Sequence, residues 1–523
     1  MEDYNSGNRA EYDFAFDNMN RLTSTTTNYE FTSIGALTVQ YGYDAASNRV
    51  SMTDPQGTQT SYAYDNLNRL TSLSNSWAGS FGFSYDALSR RTQLTRPNGV
   101  NTNYSYDNLS RLLNVLHQAG STTLDGAVYT YDAAGNRLSK TDLYANVTSN
   151  YAYDAIYQLL QVTQGTSTTE SYTYDIVGNR LSSLGLSTYQ YNSSNELTST
   201  ALGGYTYDHN GNALTDAQGR SYTWDYENRL AQAVVPGTSG GTTTFKYDPF
   251  GRRIYKQSPN FTSVFLYDGN DLIQTVNASG SEVASYTRGP LIDEPAELRG
   301  STTDYYAADG VGSITSLSNA TGALTNTYTY DSFGNTTAST GTLRNYFQYT
   351  AREFDPETGL YYYRARYYNQ ATGRFASEDP FRFFSDINFY PYVDNDPTVL
   401  IDPYGLYTCV GNAVCNFTPD MNKALDALEK CLSHDFKITC GNNGHPATDP
   451  HMKGLAVDIG HGSNPWLGRD QVVKCFYAAF PNSAYGQQEY NDGDSGEYHY
   501  HIQYTPGVGG QAGFSPGVHA NGQ

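Results

Sequence analysis

Cysteine is missing from the first 408 residues of this 523-residue chain, so disulfide bonds cannot support that part of the fold. All five cysteines and seven of the nine histidines follow residue 406. This uneven distribution indicates that two kinds of sequence are joined in one chain. Disulfides for an oxidising compartment are therefore expected only in the C-terminal part.

Positive charge is also scarce, because 31 Lys and Arg face 52 Asp and Glu, for a formal net charge of −21. Phosphate binding relies on Lys and Arg, so this balance argues against a nucleic acid or an anionic membrane as partner. No apolar run reaches the length of about 18 residues that a membrane span needs. The opening MEDYNSGNRAEYDF has no apolar segment typical of a signal peptide and starts inside a repeat. We therefore expect a fragment of a longer protein, truncated at its N-terminus.

Tyrosine and glycine are abundant, at 49 each, and many of the tyrosines recur in one phrase. Copies include YGYDAASNRV (41–50), SYAYDNLNRL (61–70), YSYDNLSRL (104–112) and YTYDIVGNRL (172–181). Alternating Tyr-x-Tyr favours a half-buried strand, and the following Asp-x-x-Gly-Asn supplies turn residues. A recurring unit of this kind predicts β-hairpins that stack edge to edge.

The phrase resembles the YD repeat of Rhs and teneurin-type proteins over roughly residues 10–350. This resemblance implies a hollow all-β shell that acts as a scaffold. We therefore expect a YD-repeat β shell over residues 1–342, a junction over 343–406 and a cargo domain over 407–523. The expected fold class is an all-β hairpin shell through residue 406, followed by a small α+β domain that resembles a zinc metallopeptidase.

The junction contains YYYRARYYNQATGRFASEDP and closes with DPYGL. These words resemble the Rhs-associated core, which in that family commonly acts as an aspartyl self-protease. The resemblance implies a cut after Leu406, with Asp379 and Asp402 as candidate acids and Asp386 as a third. Paired carboxylates suit this chemistry, because an ionised one activates water while a protonated one donates a proton. The alternative that these Asp-Pro elements form only turns stays open.

The cargo segment combines predicted helices with predicted strands. TPDMNKALDALEKCL and RDQVVKCFYAAF have helical patterns of apolar residues, whereas KITC, LAVDI and EYHYHIQY are typical of strands. This mixture predicts an α+β domain.

Histidines and acids of the cargo fall in a pattern that suits a metal. Asp458 lies between apolar strand residues, where a carboxylate needs a partner, and His451 precedes it by seven residues. In the last strand Glu497, His499 and His501 alternate onto one face. Two nitrogen ligands, one oxygen ligand and a water make a zinc site of the catalytic kind.

HMKGLAVD and the later HYH resemble the zinc D-alanyl-D-alanine carboxypeptidase and Hedgehog-like metallopeptidase superfamily. The resemblance implies that His451, Asp458 and His501 bind one Zn²⁺. It implies further that His499 stabilises the tetrahedral intermediate and that Glu497 is the general base.

Two departures from that superfamily concern the base and the substrate clamp. The superfamily's acid stands three residues before the last ligand, where this chain has Tyr498, and Glu497 stands four residues before it. The arginine that often binds a substrate carboxylate is also missing. Lys437, Lys453 or Arg469 could replace it, or the enzyme is an endopeptidase that needs no such clamp.

The leading functional hypothesis is a polymorphic toxin of interbacterial competition, secreted or delivered. Its zinc peptidase would hydrolyse peptidoglycan stem peptides in the periplasm or cell wall of a target bacterium, as a carboxypeptidase or an endopeptidase. A cognate immunity protein and a secretion-system component are the expected partners.

Two other functions stay open. A nuclease cargo is disfavoured by the net charge of residues 407–523, where 6 Lys and Arg face 11 Asp and Glu. A surface adhesion protein with an inactive, Hedgehog-like tip would bind zinc without turnover.

Overall fold

The computed structural model describes residues 10–77, 79–238, 240–380 and 388–406, and the backbone of strands at 409–410, 438–440, 456–460, 485–491 and 498–504. Within these residues, antiparallel strands account for nearly all regular structure. None of the described helical segments is long and apolar enough to cross a membrane.

Two large antiparallel sheets make up most of the described chain. The first sheet contains β1 (Ala10–Phe16), β2 (Leu22–Tyr29), β3 (Leu37–Tyr43), β4 (Arg49–Thr53), β5 (Gln59–Tyr64), β6 (Leu70–Asn75), β7 (Gly79–Tyr85), β8 (Arg91–Thr95), β9 (Val100–Tyr106), β10 (Leu112–Ala119), β11 (Thr122–Tyr131), β12 (Arg137–Asp142), β13 (Val147–Tyr153), β14 (Leu159–Gln164), β15 (Ser167–Tyr174), β16 (Arg180–Ser183) and β17 (Leu186–Ser187). A small sheet follows, with β18 (Gln190–Tyr191), β19 (Leu197–Thr200) and β20 (Gly203–Gly204). The second large sheet contains β21 (Thr206–Tyr207), β22 (Ala213–Thr215), β23 (Ser221–Trp224), β24 (Leu230–Val235), β25 (Gly241–Tyr247), β26 (Arg253–Gln257), β27 (Thr262–Asp268), β28 (Asp271–Val276), β29 (Glu282–Arg288), β30 (Pro295–Arg299), β31 (Thr303–Ala308), β32 (Ile314–Asn319), β33 (Leu324–Tyr330) and β34 (Thr336–Thr340).

The aspartate of the repeated phrase builds each hairpin turn. In the second copy, Asp65 Oδ1 accepts the backbone N–H groups of Leu67 at 2.9 Å and Arg69 at 3.0 Å. Its other oxygen accepts from the Arg69 side chain at 2.8 Å. Asn68, between them, adopts a left-handed φ of 57°, which Asn and Gly tolerate best. The predicted hairpins and their edge-to-edge stacking are confirmed.

The tyrosine just before the turn of most hairpins joins that hairpin to the preceding one. The hydroxyl of Tyr106 donates to the carbonyl oxygen of Arg91 at 3.0 Å, and that of Tyr330 donates to Ile314 at 2.9 Å. The same contact recurs at Tyr43, Tyr64, Tyr85, Tyr131, Tyr153, Tyr191, Tyr247 and Tyr267. The strands therefore use Tyr rather than Phe because its hydroxyl links neighbouring units.

The second large sheet lies against the first, one circuit later in the chain. Contact partners are 236 residues apart at Tyr12–Asp248, 203 apart at Arg91–Glu294 and 162 apart at Glu170–Ser332. The separation in sequence between contacting residues is therefore larger near the start of the first sheet than near its end. Apolar side chains of both sheets share one core, which includes Tyr29, Val39, Phe265, Leu266 and Tyr306.

The segment after the second sheet forms a compact aromatic core. Its sheet contains β35 (Glu353–Asp355), β36 (Leu360–Tyr363), β37 (Arg366–Asn369) and β38 (Arg374–Phe375), with 3-10 turns at Tyr349–Ala351 and Val393–Asn395. Tyr363 and Tyr368 pack with Tyr392 on one face, whereas Tyr362 and Tyr367 pack against strands of the second large sheet. Because both faces are covered, nearly every aromatic ring in these strands is buried.

A last sheet links the core to the C-terminal segment. It contains β39 (Leu400–Ile401), β40 (Cys409–Val410), β41 (Ile438–Cys440), β42 (Ala456–Gly460), β43 (Tyr485–Asn491) and β44 (Tyr498–Tyr504). Strands are thus present in KITC, LAVDI and EYHYHIQY, whereas both predicted helices lie outside the described residues. The all-β character of the shell is confirmed. The α+β zinc domain and the bounds of the three domains stay predictions.

Candidate functional site

One guanidinium lies between two of the predicted acids. Arg366, on β37, is 3.0 Å from Asp379 Oδ2 and 3.3 Å from Asp402 Oδ2, both measured from the same terminal nitrogen. Asp379 follows β38 and Asp402 follows β39, and each of the two is only 3% exposed. The fold therefore brings two acids, 23 positions apart in the sequence, to a single buried cation.

The closing DPYGL words form a tight turn around Asp402. Its Oδ1 accepts the backbone N–H groups of Gly405 at 2.7 Å and Leu406 at 3.0 Å. Arg366 donates to the carbonyl oxygen of Gly405 at 2.5 Å. Gly405 has a φ of 70°, and a Cβ there would lie 2.4 Å from the carbonyl oxygen of Tyr363. The two residues that precede the predicted cut are therefore held by Asp402 and Arg366 together.

Arg366 is a residue of this candidate site that the sequence analysis did not predict. The available signal was its position between tyrosines in YYYRARYY, a run too aromatic to lie at the surface. A buried arginine needs acidic or carbonyl partners. The two predicted aspartates were the obvious candidates for those partners. The third candidate, Asp386, lies outside the described residues.

The predicted zinc ligands are described only in part. Asp458 on β42 stands directly opposite His501 on β44, and Gly460 stands opposite His499. Opposite residues of an antiparallel pair have Cα atoms about 4.5–5.5 Å apart, so the backbone places these two predicted ligands side by side. This register fits a shared metal ion. His451, Glu497 and the possible clamps Lys437, Lys453 and Arg469 lie outside the described residues.

Comparison with known families begins with the repeats and the core. A model of the family described as Teneurin YD-shell matches residues 143–412, and the RHS Repeat model matches residues 43–80. The chain belongs to the teneurin YD-shell family. The YD-shell fold also relates it to a crystal structure of TcdB2-TccC3-Cdc42, with a TM-score of 0.65 at 20% sequence identity. That match covers 77% of this chain and 24% of the other.

Curated relatives of this YD-shell chain include toxins and nucleases. The tRNA nuclease WapA of Bacillus subtilis (strain 168) is 31% identical over 294 residues, which is 54% of this chain and 11% of WapA. Probable deoxyribonuclease RhsA of Dickeya dadantii (strain 3937) is 28% identical over 208 residues, covering 35% of this chain and 14% of RhsA. The chain spans about a tenth of the length of the first curated relatives it matches.

These relatives contradict the expected zinc peptidase and its peptidoglycan substrate, because they are named as nucleases. The exclusion of nucleic acid as a partner is contradicted in the same way. That exclusion was wrong because net charge averages a whole segment, whereas phosphate contacts are made locally by a few groups. The peptidase hypothesis rested on a short metal-ligand pattern. That pattern does not define the substrate, because a metal-activated water can attack bonds other than peptide bonds.

Proposed function

We propose that this chain is the toxin-carrying part of a delivered YD-shell protein and that it cuts its own backbone after Leu406. The observation that supports this best is the pairing of Asp379 and Asp402 through Arg366, with the N–H of Leu406 bound to Asp402. The proposal keeps the three-part division into shell (1–342), core (343–406) and released segment (407–523).

The proposed cut is a hydrolysis. Water adds to the carbonyl carbon of Leu406, the C–N bond to Tyr407 breaks, and the products are a Leu406 carboxylate and a Tyr407 amine. One aspartate, ionised, takes a proton from the water, and the other, protonated, gives a proton to the leaving nitrogen. Arg366 supplies positive charge one residue from this bond, which favours the negative charge that develops on the carbonyl oxygen.

The alternative role of Asp402 is that of a turn residue, because it accepts two backbone N–H groups much as Asp65 does in a repeat turn. Asp379 separates the two interpretations. Its carboxylate pairs with Arg366 from a different strand, and a turn at 402–406 alone gives no reason for that contact. Replacing Asp379 therefore tests the chemistry with the least effect on the turn.

The test follows the full chain, tagged at both ends, during cell-free synthesis. We expect wild-type protein to yield two fragments, the smaller beginning at Tyr407 by mass spectrometry. Asp379→Asn and Asp402→Asn should remain one chain, whereas Asp65→Asn, a repeat-turn control far from the junction, should still be cut. An uncut wild-type chain, a cut elsewhere, or wild-type rates in both junction variants would contradict the proposal.

For the segment beyond Leu406, nucleic acid inside a target cell is the proposed substrate. The names of the relatives WapA and RhsA support this choice. The periplasmic site of action depended on peptidoglycan, and a nucleic-acid substrate requires delivery into the cell interior. An immunity protein and a secretion-system component remain the proposed partners.

One Zn²⁺ held by His451, Asp458 and His501 is retained as the proposed cofactor. The opposite positions of Asp458 and His501 in the β42–β44 register support it. When bound, zinc lowers the pKa of a coordinated water toward neutrality, which suits hydrolysis of a phosphodiester as well as of an amide. Glu497 and His499 keep their proposed roles as base and as stabiliser of the charged intermediate.

A further inference from the structure

A second arginine holds the first half of the closing DPYGL turn. Arg364 lies in the turn between β36 and β37 and donates to the carbonyl oxygen of Pro403 at 2.5 Å. Its guanidinium also lies over the ring of Tyr404, 5.0 Å from the centroid. Arg364 therefore restrains the two residues that lead from Asp402 to Gly405.

The partner of this arginine comes from the shell wall. Asp293, in the connection between β29 and β30, contacts the two terminal nitrogens of Arg364 at 2.7 and 3.1 Å. The same carboxylate accepts from Arg352 at 2.5 Å. Two-pronged contacts between a guanidinium and a carboxylate fix orientation as well as distance. Asp293 therefore fixes the plane of the Arg364 guanidinium from a strand connection 71 residues earlier in the chain.

Charge supports this arrangement. Burial by itself would raise the pKa of Asp293, but the guanidiniums of Arg352 and Arg364 outweigh it and hold the pKa below its usual value. The carboxylate is therefore ionised at neutral pH. Asp271 also faces Arg364 at longer range, and Arg288 faces both acids, but neither is hydrogen-bonded to Arg364 among the described residues.

We propose that Asp293 is a positioning residue for self-cleavage, acting through Arg364 on the Pro403–Tyr404 segment. This inference rests on the proposed cut after Leu406. Its consequence is that Leu406 reaches Asp379 and Asp402 in the productive geometry only after the β29–β30 wall has closed on the core. Completion of the shell and processing of the chain are thereby coupled.

The experiment measures the first-order rate constant of self-cleavage in the full chain. We expect Asp293→Asn to slow the cut by about 10-fold or more, because small displacements of reacting groups have effects of this order. Asp293→Glu, which keeps the charge and both oxygens, should restore most of the rate. Asp268→Asn removes a wall carboxylate that pairs with Arg49 instead, and it should be cut at the wild-type rate.

A double variant tests whether Asp293 acts through Arg364. Arg364→Ala combined with Asp293→Asn should be cut no more slowly than Arg364→Ala alone. The reason is that each change removes the same contact, the one between Asp293 and Arg364. Three outcomes would show a general loss of stability and overturn the positioning role. The rate effects of the two changes could multiply in the double variant, Asp268→Asn could slow the cut equally, or Asp293→Glu could be as slow as Asp293→Asn. Wild-type cleavage with an unaffected Asp293→Asn variant would overturn this inference alone, whereas an uncut wild-type chain would overturn the proposed function itself.

Discussion

The hydroxyl of Tyr85 donates to the backbone carbonyl oxygen of Leu70 at 2.8 Å, which ties one hairpin to the hairpin before it. The tyrosine one repeat later makes the same bond to Arg91. The tyrosine side chain thus packs its ring and also cross-links successive hairpins through its hydroxyl. This relationship gives the first prediction.

Replacing Tyr85 by Phe keeps the packed ring and removes the hydrogen bond to the Leu70 carbonyl oxygen. We expect the free energy of unfolding to fall by about 0.5–1.5 kcal/mol, because the Leu70 carbonyl loses a partly buried hydrogen bond. Urea unfolding followed by tyrosine fluorescence measures the change. Tyr226→Phe is the matched control, since that ring is 70% exposed, and it should unfold with the wild type. Equal midpoints for all three proteins would contradict a structural role for the hydroxyl.

Glu297 should make the shell less stable as the pH rises. Burial raises the pKa of this carboxyl to about 8, whereas an unfolded Glu titrates near about 4.3. The unfolded chain therefore binds fewer protons than the native one between these values, so the free energy of unfolding falls from about pH 4 to about pH 8.

Glu297→Gln removes this penalty while it retains a group that can accept from the Thr287 hydroxyl. We expect the variant to be more stable than wild type at pH 8 by on the order of 1–3 kcal/mol, with little difference near pH 4. Thermal unfolding across this pH range measures it. Glu227→Gln, at an exposed acid, should show no such pH-dependent gain in stability. A constant difference between Glu297→Gln and wild type at every pH would contradict the assignment.

Gly405→Ala should impair the cut after Leu406. A Cβ at a φ of 70° and 2.4 Å from the Tyr363 carbonyl oxygen must displace the DPYGL turn. We expect self-cleavage at least about 10-fold slower, by the same time course of fragment release. Gly269→Ala shares the left-handed backbone, with a φ of 59°, but has open space around it, and it should leave the rate unchanged. Equal rates in the two variants would mean that the turn geometry does not govern the reaction.

Loss of His501 should remove both zinc and activity toward nucleic acid. The full chain, with zinc, is incubated with tRNA and with duplex DNA, and the metal content is measured by mass spectrometry. We expect His501→Ala to lose the metal and leave both substrates intact, whereas His209→Ala, at an exposed shell histidine, should match wild type. Bound zinc with intact tRNA and DNA would overturn the proposed substrate but not the metal site. A metal-free wild-type chain would overturn the zinc.

Local rules predict the hairpin well, because Asp65 and Asn68 act within five residues of each other and any copy of the phrase repeats them. The contact between Tyr12 and Asp248 could not be predicted in this way. It depends on how many residues complete one circuit, and the irregular spacing of later repeats hides that number. At the junction, Asp379 and Asp402 were predicted by resemblance, but Arg366 joins them only because β37 and the two aspartates converge in space.

The contacts between the two large sheets also limit how this chain can evolve. In most arrays of similar units, a unit can be gained or lost with a merely local effect. Here contacts such as Tyr12–Asp248 and Glu170–Ser332 join hairpins of the first large sheet to particular hairpins of the second. Deleting one whole copy between them would misalign every later pair at once. The units look interchangeable in sequence, yet the contacts between the two large sheets fix how many of them the shell can contain.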